Sequence, residues 1–182
     1  MLGMSLSKVR EIVWREDGDR RPIIWGLVVN GIIGSAFIPN RVRTQLYRLM
    51  GLKLHPKVIV RSGVIFRSDN VMVGASTLIG YRTIFDTRQP LVIGKNVSIG
   101  PNVTFVDTDH EMSNPERRAG ASTVGPIRIG DGARVSTGSI ILPGVTIGEG
   151  AAVGASSLVT KDVEAHSLYY GIPAKKARDL PR

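Results

Sequence analysis

"IRIGDGARVSTGSIILPGVTIGEGAAVGASSLVT", residues 127–160, decides the fold. Within it an aliphatic side chain returns every six positions, at Ile129, Val135, Ile141, Ile147, Val153 and Val159. A period of six fits neither a helix at 3.6 residues per turn nor a lone strand alternating at two. It fits short strands joined by tight turns, three to a coil, with each coil stacked on the last. The large residue then fills the interior. Four positions later stands a small or β-branched residue (Ala133, Ser139, Val145, Ala151, Ser157, Val163), placed to point inward where less room remains. Glycine directly follows Ile129, Ile147 and Val153 and is expected at corners, where the backbone turns through conformations other residues resist.

The same rhythm extends upstream through Val73, Ile79 and Phe85, then Ile93, Ile99 and Phe105, with Gly74, Gly80, Gly94 and Gly100 in step. The inward small positions there are Thr77, Thr83, Val97 and Val103. The fourth position fails at Gln89 and Asp109, and each failure precedes a break in register. The first break inserts two residues between Phe85 and Ile93. The second is long. Hidden repeats between Phe105 and Ile129 would put Glu111, Arg117 and Thr123 inside, with no glycine after any of them. Residues 107–127 are therefore an excursion from the scaffold, and long excursions from compact scaffolds tend to carry function. The chain divides into an apolar, basic, helical segment (1–55), a parallel β-helix (56–165) and a basic tail (166–182).

At the N-terminal side, "NRVRTQLYRLMG" (40–51) predicts a short helix with Val42, Leu46 and Leu49 on one face and Gly51 ending it. The uncharged run Pro22–Asn40 approaches the roughly 20 residues a spanning helix needs. Two prolines bound it, however, and Asn30, Ser35 and three glycines dilute it. It predicts a helix packed on the domain or lying at a membrane surface. Glu11, Glu16, Asp17 and Asp19 ahead of it argue against a secretory signal.

Composition narrows the function. At 182 residues the chain is one domain with a real core, and aromatics at 5% suggest that aliphatics fill it. Cysteine is absent, which removes disulfides, thiolate metal sites and a cysteine nucleophile, and fits a cytoplasmic location, including the inner face of the cytoplasmic membrane. The coils offer too few histidines for a zinc site, so no metal is expected. The net charge is +9, and nine basic residues with no acid lie between Arg20 and Ser68. Such a block suits an anionic membrane face or an anionic cofactor. No zinc-finger spacing or RNA-binding aromatic motif accompanies it, so nucleic acid is not expected as a partner.

No serine sits in a Gly-x-Ser-x-Gly elbow and no cysteine is present, so covalent catalysis has no evident nucleophile. General-base catalysis by a histidine is the chemistry left. His110, at the start of the excursion, is the candidate; His55 precedes a proline ahead of the coils and His166 lies in the tail. Asp107, Asp109 and Glu111 are all carboxylates at hand to orient it, and spacing alone does not choose among them; Asp107 stands as the expected partner.

"ILPGVTIGEGAAVGASSLVTKDV" (141–163) followed by "GIPAKKAR" (171–178) resembles the hexapeptide-repeat acyltransferases, in particular maltose and galactoside acetyltransferases and colanic-acid-type polysaccharide O-acetyltransferases. The resemblance covers about residues 40–180. It implies an all-β, left-handed parallel β-helix, a homotrimer with active sites between subunits, and acetyl-CoA as cosubstrate. It places the general base at His110. It implies CoA contacts at Thr137, Gly138, Ala155, Thr160 and Lys161, with phosphate held by Lys175 and Lys176. The implied acceptor is a sugar hydroxyl of a surface polysaccharide or lipid-linked oligosaccharide. An amino-sugar or antibiotic acetyltransferase, or a non-catalytic trimeric scaffold, would use the same repeats. Where the family often reads tryptophan before the interior aliphatic and glycine after it, this chain has Arg134-Val135-Ser136.

Overall fold

The six-residue period folds as a parallel β-helix. The computed structural model describes residues 25–182. Three parallel sheets form its walls. The first stacks β1 (Lys53–Leu54), β4 (Val71–Val73), β7 (Leu91–Ile93), β12 (Ile127–Ile129) and β15 (Thr146–Ile147). The second stacks β2 (Ile59–Val60), β5 (Leu78–Ile79), β8 (Ser98–Ile99), β13 (Arg134–Val135), β16 (Ala152–Val153) and β18 (Ser167–Gly171), with β19 (Ala174–Asp179) antiparallel at its end. The third stacks β3 (Ile65–Phe66), β6 (Ile84–Asp86), β9 (Thr104–Val106), β14 (Ile140–Ile141) and β17 (Leu158–Val159). Register follows the sequence period, as in Ile79 beside Ile99 and Ile99 beside Val135. Every aliphatic or phenylalanine of the period is buried, and so is every small residue four positions later, so both inward positions are as expected.

Two details differ from expectation. The glycine after the aliphatic does not turn the corner; it admits the next coil. A Cβ on Gly80 would stand 2.5 Å from the Gly100 carbonyl carbon, and one on Gly100 2.5 Å from the Thr137 nitrogen. The left-handed corner residue comes two places later, at Gly132, Gly138, Gly144 and Gly150, and upstream at Ser76, Arg82, Asn96 and Asn102. Asparagine tolerates that region better than most residues, which explains two of the non-glycine corners. The core is also not wholly aliphatic. Phe66, Phe85 and Phe105 stack face to face along the third sheet at 4.9 and 5.1 Å, and Tyr47 closes the column edge-on at 5.0 Å.

Two helices cover the open end of the solenoid. α1 (Gly26–Ile33) has the wide π-helical winding and buries Val29 and Ile33. Its Asn30 amide donates to the Phe66 carbonyl and accepts from the Phe66 N–H, taking the place of a strand above β3. α2 (Asn40–Leu49) ends where expected, with Gly51 at φ +97°. Its inward face is only partly the one predicted: Leu46 packs against the core, half-buried. Arg43, Thr44 and Tyr47 are buried, while Val42 and Leu49 are exposed. The top of β2 offers bare carbonyls, and polar side chains satisfy them. Thr44 Oγ1 donates to Val58 O and Arg43 Nη1 to Val60 O. Arg43 also donates to the carbonyls of Ile33, Ser35 and Ile38 and to Asn40 Oδ1. Burial pushes its guanidinium below the usual arginine range. No described helix is long and apolar enough to cross a membrane. The acids at 11–19 and the first residues of the apolar run lie outside the described residues.

Candidate active site

The excursion leaves the scaffold at the corner between the third and first sheets and folds on itself. Strands β10 (Thr108–His110) and β11 (Ser122–Val124) pair antiparallel, with His110 opposite Ser122, and join none of the three walls. The tip is braced from within: Arg118 Nη1 donates to Met112 O at 2.6 Å and Arg117 Nε to Ala119 O at 3.1 Å. The base is braced on the scaffold, since Gly125 N donates to Asp107 O at 2.9 Å. A projecting hairpin thus holds His110 clear of the coil, where it is exposed.

The imidazole lies 3.1 Å from the Gly120 carbonyl through Nδ1. A carbonyl only accepts, so that hydrogen bond requires the proton on Nδ1. In the neutral ring Nε2 then carries the lone pair. Asp107 does not orient this ring. It is buried, and its carboxylate accepts from the backbone N–H groups of Arg88 and Gln89 and from Thr108 Oγ1. Those amides belong to the two-residue insertion that follows Phe85. The acid therefore pins an irregular corner to the foot of the loop, and Gly120 takes the orienting place expected of a carboxylate. No local signal in the sequence singled out Gly120, because the contact runs through a backbone carbonyl.

The expected cosubstrate contacts fall on two different edges of the prism. Backbone hydrogen bonds stack Tyr81, Pro101 and Thr137 beside Ala155 at the corner between the second and third sheets, where Asn102 N meets Tyr81 O, Gly138 N meets Pro101 O and Ser156 N meets Thr137 O. Thr137, Gly138 and Ala155 share that edge, and Thr137 and Ala155 are exposed. Thr160 and Lys161, also exposed, follow β17 at the corner between the third and first sheets, the edge that bears the hairpin. The width of the third sheet separates His110 from Thr137 within one chain.

The two tail lysines also differ. Lys176 Nζ reaches Glu164 at 2.6 Å and Asp179 at 2.9 Å. The hydrogen bond from Lys176 holds the Glu164 carboxyl below its ordinary range, and Glu164 in turn holds Lys176 above its own. Lys175 is exposed with no ion pair among the described residues, so Lys175 is the free cation of the pair. Among the described residues no group of three or more His, Asp or Glu could hold a metal ion.

Residues 126–161 match the family model "Bacterial transferase hexapeptide (six repeats)". A Dictyostelium discoideum protein carrying an acetyltransferase name is 36% identical over 140 residues, covering 77% of this chain and 72% of the relative. The galactoside O-acetyltransferase of Escherichia coli strain K12 is 32% identical over 112 residues, covering 62% of this chain and only 55% of the relative. A hexapeptide-repeat-containing acetyltransferase of Vibrio cholerae O1 biovar eltor, solved with acetyl coenzyme A, superposes with a TM-score of 0.75 at 28% identity, over 85% of this chain and 84% of that one. The hairpin outside the walls, the two inward positions of every coil and these relatives agree: the chain belongs to the hexapeptide-repeat acetyltransferases.

Proposed function

We propose that the protein transfers an acetyl group from acetyl-CoA to a sugar hydroxyl, with His110 as general base and with each active site formed between two subunits of a homotrimer. Acetyl-CoA dependence comes with the family, and the sugar acceptor rests on the likeness to a galactoside O-acetyltransferase. The observation that carries the mechanism is the His110 Nδ1 contact with Gly120 O, which leaves Nε2 free to accept a proton. Nε2 takes the proton from the acceptor hydroxyl as its oxygen attacks the thioester carbonyl. The C–O bond forms, the C–S bond breaks, and the imidazolium returns the proton to the departing CoA thiolate. Thr137, Gly138 and Ala155 on one edge, with Lys161 and Lys175, would hold the cosubstrate; Lys176 is already engaged.

The test is calorimetric titration of acetyl-CoA, with ATP as control, followed by CoA release with a sugar panel. We expect saturable binding near one site per chain. The His110→Ala variant should bind acetyl-CoA as the parent does and lose about 10²–10⁴-fold in kcat. Absence of binding up to millimolar acetyl-CoA would remove the acyltransferase mechanism altogether. A peripheral membrane contact belongs to the same proposal. Leu27, Phe37 and Leu49 are exposed in the helical cap, and so are Arg41 and Arg48. Co-sedimentation with anionic vesicles at low salt, lost at high salt, is the expected result, and equal sedimentation with neutral vesicles would refute the electrostatic part.

A further inference from the structure

The edge that carries Thr137 and Ala155 does not end at Thr137. It continues upward through Pro101 to Tyr81, and beside it lies a groove of about 280 Å³ on the outer surface of the second sheet. Arg61, Tyr81, Ser98, Arg134, Ser136 and Thr137 are among the residues that line it, and no Asp or Glu does. Its floor exists because of the glycines that follow the interior aliphatics. Arg61 occupies the column position that Gly80 and Gly100 hold in the coils below, since Arg61 N donates to Ile79 O and Gly80 N to Ile99 O. Neither lower position has a side chain to fill the groove. Arg61 instead extends over Tyr81, with its guanidinium carbon 5.5 Å from the ring centroid. Arg134 enters from the wall, outward between Ser98 and Ala152.

Neither guanidinium has an acidic partner among the described residues, whose ion pairs involve Arg67, Lys95 and Lys176. Two arginines around one groove, with hydroxyls between them and no acid, form a donor set without a matching acceptor. A neutral sugar offers nothing that needs two guanidinium forks. A phosphate or carboxylate does, because its oxygens accept paired N–H bonds and its charge is neutralised there.

We propose that this groove binds an oxyanion carried by the acceptor, so that the acceptor is a sugar bearing a phosphate or a carboxylate, with Arg61 and Arg134 as its specificity-determining residues. The assignment rests on the acetyl-transfer reading above, because Thr137 is shared by the groove and the proposed cosubstrate edge. An acceptor anchored by its anion in the groove lies against the end of that edge. Tyr81, under the Arg61 guanidinium, keeps that side chain over the groove.

The experiment titrates glucose, glucuronate and glucose 6-phosphate separately into the intact protein, with and without saturating CoA, and repeats this for the Arg61→Gln/Arg134→Gln double variant. The expected result is at least about tenfold tighter binding of an anionic sugar than of glucose, lost in the double variant and weakened by salt. The phosphate and carboxylate arms separate the two sources of the oxyanion. Equal affinity for all three sugars, or anion binding unchanged in the double variant, would overturn the proposal. So would a double variant whose main defect is weaker CoA binding, since the groove would then belong to the cosubstrate. Failure of the parent protein to bind CoA refutes the acetyl-transfer reading instead, and the CoA-free arms still test the groove.

Discussion

At the scale of single residues, Asp107 and His110 stand three apart and do different work. The Asp107 carboxylate accepts two backbone N–H groups and a hydroxyl in a buried place, whereas the His110 ring is set by a carbonyl. Asp107→Asn can keep its oxygen on the two corner amides, which share Oδ2, with its N–H₂ toward the Thr108 hydroxyl, but it loses the charge that strengthens those hydrogen bonds. It should therefore cost about 1–2 kcal/mol of stability, seen as a lower midpoint in denaturant. A dyad partner of the imidazole would give the other pattern, a loss in kcat with stability unchanged, and that outcome would reinstate the expected role. The sequence made both residues visible through the break in register. It could not separate them, because what distinguishes them is the corner at Arg88 and Gln89, eighteen or more residues away.

At the scale of elements, the helical cap and the tail hairpin each turn on one cation. Arg43 in α2 is buried against four carbonyls and the Asn40 side chain, and joins α1, α2 and the first coil. Arg43→Met fills the volume but strands those acceptors. We expect a loss of about 3 kcal/mol, read as a shift of the unfolding midpoint. Helical periodicity pointed to Val42, Leu46 and Leu49 as the inward face. It held for Leu46 and failed for Val42 and Leu49, because the surface α2 covers is an open strand edge needing donors, and hydrophobic patterning is blind to a surface of carbonyls. In β19 the prediction separates adjacent lysines. Lys175→Ala should raise the KM for acetyl-CoA several-fold with stability unchanged, and Lys176→Ala should lower stability with KM unchanged. Steady-state kinetics beside thermal melts would reveal a reversed pattern, which would move the phosphate contact to Lys176.

At the scale of the whole molecule, the coils were readable because each is a local unit whose period is set by the solenoid itself. The glycine roles were not, because close approach of the next coil and left-handed backbone both favour glycine, and only position in three dimensions separates them. The site was legible as a list of residues and not as a place. His110 and Lys161 lie on one edge, Thr137 and Ala155 on another, with the third sheet between. If Thr137 and Ala155 hold the cosubstrate, as proposed, a neighbour's hairpin would have to reach the edge that bears them. Mixing two inactive variants tests that requirement. His110→Ala removes the base, and Ala155→Arg blocks the exposed cosubstrate edge. Coexpressed in equal amounts, they should form mixed trimers of three 19.7 kDa chains in which some sites pair an intact hairpin with an intact edge. Random assembly makes that pairing in about a quarter of the sites, so activity should return to about a quarter of the parent level. If both edges served the same chain, every site would retain one lesion, and the mixture would stay as inactive as its components.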